Sequence, residues 1–169
     1  SGYWRSFGID PTKAGRITLG PRFRYAKGIR NAEELDVATG VVWSRLGANA
    51  NRRAEKFTAT HTFTAAYLKF NLKRIGKPGD LTVRLRQDNA GNPGTIMDTA
   101  TYAQTSAPIR DEKIAKVTLA GSIASGTSYW VEWQGSVNND SDNCMMIKAS
   151  TDATNGKHSA NGTTWSASG

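Results

Sequence analysis

From Val41 onward, apolar and polar positions alternate repeatedly with a period of two, the spacing of a strand that buries one face. The clearest run spans residues 66–73, where Ala66, Leu68, Phe70 and Leu72 point one way and Tyr67, Lys69, Asn71 and Lys73 the other. Residues 81–86 repeat the pattern with Arg84 and Arg86 outward. Residues 57–63 place Phe57, Ala59, His61 and Phe63 on one side of a single predicted strand. Shorter candidates lie at 41–46, 96–102, 114–119, 129–133 and 144–149. Turn formers punctuate them at 76–80, 88–94, 121–127 and 134–142, and the polar stretch 47–56 reads as a loop. Many short strands with turn signals between them predict an antiparallel sandwich or barrel.

The first 40 residues break this rhythm. Residues 16–19 predict one short strand, stopped by Gly20 and Pro21. Residues 31–37 predict a helical turn, with Asn31 as N-cap before Glu33 and Glu34. Basic and aromatic residues then interleave at Arg22, Phe23, Arg24 and Tyr25. Such a segment builds no core of its own, so residues 1–40 are expected to form an extended arm and residues 41–169 the sandwich.

Composition sharpens this division. Of 169 residues, 38% are hydrophobic, and Gly, Thr, Ser, Ala and Asn are frequent, which suits short strands and turns. The net charge of +8 is concentrated early: residues 1–56 hold eleven Lys or Arg against five Asp or Glu. Excess positive charge there suits an acidic partner or a solvated arm. Cys144 is the only cysteine, so no intrachain disulfide exists, and its apolar surroundings predict a buried, inert thiol. No stretch reaches the roughly 20 apolar residues of a membrane-spanning helix. Residues 1–5 lack the apolar core of a signal peptide, which fits a chain outside that export route or a mature or trimmed form.

A longer pattern joins these elements. The residues Leu68-Lys69-Phe70-Asn71-Leu72 lead to the run Gly76 to Leu85 and then to Asp88-Asn89-Ala90-Gly91-Asn92-Pro93-Gly94. Downstream, Gly126-Thr127-Ser128-Tyr129-Trp130 opens a strand, and Asn161-Gly162-Thr163-Thr164-Trp165 looks like a closing hairpin. Together, from about residue 57, these resemble a jelly-roll module of phage virion and tail proteins and of bacterial surface and carbohydrate-associated proteins. The resemblance implies a jelly-roll-like antiparallel β-sandwich and a role in adhesion, decoration or glycan binding, without selecting one ligand. Such a module is expected to carry one more strand beyond the Trp165 hairpin, so that strand is missing from this chain or supplied by the arm or a neighbour.

The candidate chemistry is sparse. His61 and His158 are the two histidines, no serine sits in a nucleophile elbow, and no carboxylate pair is marked by its setting, so no catalytic residue is assigned. No Cys/His cluster has zinc spacing. Structural calcium is a candidate at Asp88 and Asn89, and at Asp140 and Asp142 beside Asn138 and Asn139, although tight turns favour the same residues. Trp130 and Glu132 share one face of their strand, opposite Tyr129, Val131 and Trp133, which we assign to the core. Trp130, Glu132 and Trp165 are then candidates for glycan binding, against the plainer reading that both tryptophans pack. In the arm, Arg16, Arg22, Phe23, Arg24, Tyr25, Lys27 and Arg30 form a candidate partner-binding segment. Arg, Tyr and Phe are enriched at protein interfaces, and beside a virion-like domain this favours a protein partner over nucleic acid.

These readings predict a non-enzymatic virion structural protein, a capsid decoration or a tail or fibre component, that docks through its arm onto other virion proteins or its own protomers. A homo-oligomer is expected. The alternative is a carbohydrate-binding module of a bacterial surface or secreted protein, and nucleic-acid binding ranks third.

Overall fold

A computed structural model describes residues 15–20, 32–36, 41–47, 51–137, 142–150 and 154–167. Among them are thirteen strands: β1 (Gly15–Gly20), β2 (Ala32–Asp36), β3 (Val41–Leu46), β4 (Arg52–Thr58), β5 (Phe63–Ile75), β6 (Leu81–Asn89), β7 (Asn92–Tyr102), β8 (Lys113–Val117), β9 (Gly121–Ile123), β10 (Ser128–Gln134), β11 (Cys144–Ser150), β12 (Gly156–Ser159) and β13 (Ser166–Ala167). A single 3₁₀ turn, Gln104–Ser106, lies between β7 and β8.

Two sheets result. The second is antiparallel throughout, in the order β13-β12-β4-β10-β6-β7. The first is organised around the 13-residue strand β5. Leu68 and Lys69 pair with both β1 and β8, and Leu72 pairs with both β8 and β11. Thus β8 runs along one edge of β5, while β1 and β11 follow each other along the opposite edge. β3 extends the sheet beyond β11, and β2 extends it beyond β1.

The alternating residues become the core. Leu68, Phe70 and Leu72 of β5, with Ala115, Val117, Met145 and Ile147, face Leu81, Val83, Leu85, Tyr129, Val131 and Trp133 of the other sheet. Phe70 meets Trp133 edge-on at 5.8 Å between ring centroids and Tyr102 at 6.3 Å. Phe57 stacks on Tyr129 at 5.7 Å. Each of these large side chains contributes about 1.5–3 kcal/mol by leaving water. The assignment of Tyr129, Val131 and Trp133 to the core face agrees with the structure, and Cys144 is buried outside any disulfide.

Five local expectations are corrected. Residues 32–36 form a strand, β2, rather than a helical turn. So short a segment meets the nucleation cost of a helix with few bonds in return, whereas pairing along β1 satisfies its backbone at once. The predicted strand 57–63 is two strands, with β4 ending at Thr58, β5 beginning at Phe63, and His61 in the crossing between sheets. β4 starts inside the polar stretch read as a loop, because the charges of Arg52 and Glu55 are engaged by the fold. Residues 121–123, placed in a loop, form β9 on the start of β5. Finally, the turn at 88–94 is much tighter than expected. Asn89 pairs with Asn92, leaving Ala90 (φ 51°) and Gly91 (φ 80°) as a two-residue hairpin loop. Positive φ at both positions matches the right-handed twist of the flanking strands.

The strands of the core sheets run antiparallel, as expected, but β1 joins β5 and β2 in parallel. At the C-terminal end, the expected Trp165 hairpin is present as β12 and β13. Its loop is closed by Asn161, whose Oδ1 accepts the backbone N–H groups of Thr163 (2.9 Å) and Thr164 (2.8 Å).

Candidate functional site

Strand alternation sends Trp130 and Glu132 of β10 away from the core, yet both are fully buried. Of the two readings of Trp130, the burial matches packing, and the reason lies in register. Glu132 sits opposite Arg84 of β6, and Trp130 lies between Arg86 of β6 and Lys56 of β4. The Glu132 carboxylate accepts from Arg84 Nη1 at 2.8 Å and from Arg86 Nε at 2.5 Å, with Arg52 Nη1 at 3.5 Å. Arg84 Nη1 also donates to Gln134 Oε1 (2.7 Å), and Arg86 Nη1 donates to the Gly94 carbonyl (2.8 Å). Burying one carboxylate among three guanidinium groups is costly unless their hydrogen bonds are met, as these are. The cluster ties β4, β6, β7 and β10 together across the outer side of the sheet. It acts as a clamp.

The remaining candidates around it are similarly occupied. Trp130 Nε1 donates to Asp88 Oδ1 at 2.6 Å, while Asp88 Oδ2 accepts the Gly91 N–H at 3.1 Å. Asp88 thereby fixes the tight hairpin. Asn89 lies at the end of β6 beside that turn. Asp142 is exposed, whereas Asp140, with Asn138 and Asn139, falls outside the described residues. Among the described residues, no three His, Cys, Asp or Glu side chains gather as a metal site would require. Trp165 is half-buried, with the Arg86 guanidinium 6.0 Å from its ring centroid. A shallow cleft of about 490 Å³ is lined by Gln87, Asp88, Gly126, Thr127, Ser128 and Tyr129. On β4, burial lowers the Arg53 guanidinium below its ordinary pKa, while the Glu55 carboxylate acts in the opposite direction.

The outer side of the β5 sheet is different in kind. Because Leu68, Phe70 and Leu72 point inward, Tyr67, Lys69 and Lys73 project outward, with Asn71 buried between them. Lys116 of β8 stands opposite Lys69, and Lys148 of β11 stands opposite Trp43 of β3. Two rings organise these cations. Tyr67 carries the ammonium groups of Lys116 (4.4 Å to the ring centroid) and Lys69 (5.8 Å). Trp43 carries those of Lys73 (4.1 Å) and Lys148 (5.4 Å). Exposed Arg45 adds a fifth cation, and Ile114 and Met146 are the apolar members. Glu112 is bonded to Lys148 at 2.8 Å.

Of the seven arm residues singled out in the sequence, Arg16 lies in β1, its backbone in register with Tyr67. Arg22, Phe23, Arg24, Tyr25, Lys27 and Arg30 lie outside the described residues. Sequence reasoning missed both clusters. The signal was present in the outward positions of Lys69, Lys73, Arg84 and Arg86, but strand partners decide which of these are buried. Only cross-strand register separates a buried clamp from an open basic face.

No protein-family model matches the chain, no curated protein matches its sequence, and no solved structure matches its fold.

Proposed function

We propose that this chain is a non-enzymatic structural module of a virion, a capsid decoration or a tail or fibre component, built as a jelly-roll-like sandwich and docked through its N-terminal arm. The observation that supports this reading is the seating of β1. A strand from the basic N-terminal third lies in parallel on β5 and accepts β2 on its other side. Adding a strand to a sheet edge is a general means by which one chain grips another. The same edge of β5 can take β1 from its own chain or from a neighbour, and exchange of such an element builds oligomers at low energetic cost. The partners of this reading are other virion proteins and further copies of the chain.

The alternative, a carbohydrate-binding module of a bacterial surface or secreted protein, has weaker support. Trp130 is buried and bonded to Asp88, so Trp165 alone of the expected aromatics remains partly open.

Light scattering on the full chain, on a deletion of residues 1–40 and on Thr18→Pro tests the proposal. Thr18 lies between two partner strands, so proline there removes a ladder bond on one side or the other. A defined oligomer that becomes a folded monomer in both variants is the expected result. A full chain that remains monomeric at high concentration, and binds a sugar on a glycan array, would refute assembly through the arm.

A further inference from the structure

We infer that the outer face of the β5 sheet is a binding surface for single-stranded nucleic acid. The inference goes beyond the assembly reading and does not rest on it. Lys69, Lys73, Lys116, Lys148 and Arg45 share this face with Trp43 and Tyr67, and the Glu112 carboxylate is paired with Lys148.

Three features select the occupant. First, the charge is a field of lysines. Lys is a compact point charge suited to phosphate oxygens, and it is depleted at protein–protein interfaces relative to the rest of the surface. The guanidinium forks of Arg52, Arg84 and Arg86 are committed to Glu132 on the opposite sheet. Second, the cations are ordered. Lys69 and Lys73 lie four residues apart on one strand, roughly 13 Å at 3.3 Å per residue, with Lys116 directly across from Lys69. Cations repeated along an extended strand follow an extended backbone of phosphates. Third, each half-buried ring has two lysine ammonium groups 4.1–5.8 Å from its centroid. A ring beside cations provides a platform for a base while its neighbours take the flanking phosphates, and such stacking is tolerant of sequence. An acidic protein would leave the rings without stacking partners.

The test is fluorescence anisotropy of the full chain with a labelled 20-nucleotide oligo-dT, titrated across salt concentrations. Release of counterions from a single strand gives a slope of about −0.7 per phosphate contact in log K against log salt, so four lysine contacts predict a slope of about −3. The variant Lys69→Ser/Lys116→Ser is expected to lower that slope in magnitude by about 1.4, reflecting two lost contacts. Tyr67→Leu is expected to weaken binding about tenfold and to leave the slope unchanged, because it removes stacking and no charge. Thermal melts of each variant establish that it remains folded. Three results would overturn the inference: no binding to oligo-dT, binding to heparin in preference to oligo-dT, or oligo-dT binding that these variants leave intact. The heparin result would assign the face to a sulfated glycan. Failure of the oligomer test above leaves this measurement unaffected, since it reads oligo-dT binding by the full chain and not its assembly.

Discussion

Glu132→Gln probes the centre of the clamp. The substitution keeps the shape and one acceptor oxygen but removes the charge that two arginines approach at 2.5 and 2.8 Å and a third at 3.5 Å. Glu132 is fully buried, and the side chains of Arg86 and Arg84 are only 10% and 18% exposed, so water can replace little of what is lost. Removing one partner of a buried ion pair costs about 3–5 kcal/mol. The lower end applies here, because Arg84 keeps Gln134 and Arg86 keeps the Gly94 carbonyl. A loss of about 3 kcal/mol corresponds to a fall in Tm of roughly 6–12 °C for a domain of this length. Urea unfolding followed by tryptophan fluorescence measures it. A cycle with Arg86→Gln adds a second reading, since groups in one network couple by about 0.5–3 kcal/mol. The reasoning is refuted by a cost below about 1 kcal/mol, or by single losses that simply add in the double variant.

Three further outcomes are expected. Ala90 adopts φ 51° at the first position of the β6–β7 turn, where an L residue other than Asn or Gly is strained by about 1 kcal/mol, so Ala90→Asn should raise the urea midpoint by a comparable stabilisation. At Gly135 an added Cβ would meet the Leu46 carbonyl oxygen at 2.7 Å, a backbone atom that cannot rotate away, so Gly135→Ala should destabilise by about 2 kcal/mol in the same assay. Cys144 is 1% exposed, so a thiol reagent should leave it unmodified in the native chain and titrate one equivalent in denaturant.

The inward half of the sandwich was legible in the sequence because it depends on a local property. Leu68, Phe70 and Leu72, or Tyr129, Val131 and Trp133, declare their face by alternation alone. The outward half was not. Arg84, Arg86, Lys69 and Lys73 have the same pattern in one dimension, and only pairing with β10 turns the first two into part of a buried cluster. Trp130 illustrates the same limit, since its burial follows from Lys56 and Arg86 standing on either side. The errors in β2 and β4 arose differently. Residues 32–36 and 52–56 are rich in charge, and their local composition disfavours strands; edge pairing and cross-strand ion pairs supply what composition lacks. The tight turn escaped notice because Asp88, Asn89, Asn92 and Gly94 all favour loops, yet only Ala90 and Gly91 are needed to reverse the chain.

The separation of the cations between the two sheets gives the molecule two unequal sensitivities to change. Arg52, Arg84 and Arg86 are tied into a clamp whose disruption is felt by the whole sandwich, whereas Lys69, Lys73 and Lys116 stand on a face whose loss leaves the core contacts untouched. Reagents that modify amines should therefore neutralise the lysines of that face, though not Arg45, in a folded chain, while loss of the Arg84 or Arg86 guanidinium strikes the clamp. For the same reason, substitutions at the lysine positions should cost folding less than substitutions in the clamp. A molecule arranged in this way can exchange one binding partner for another while its scaffold stays the same.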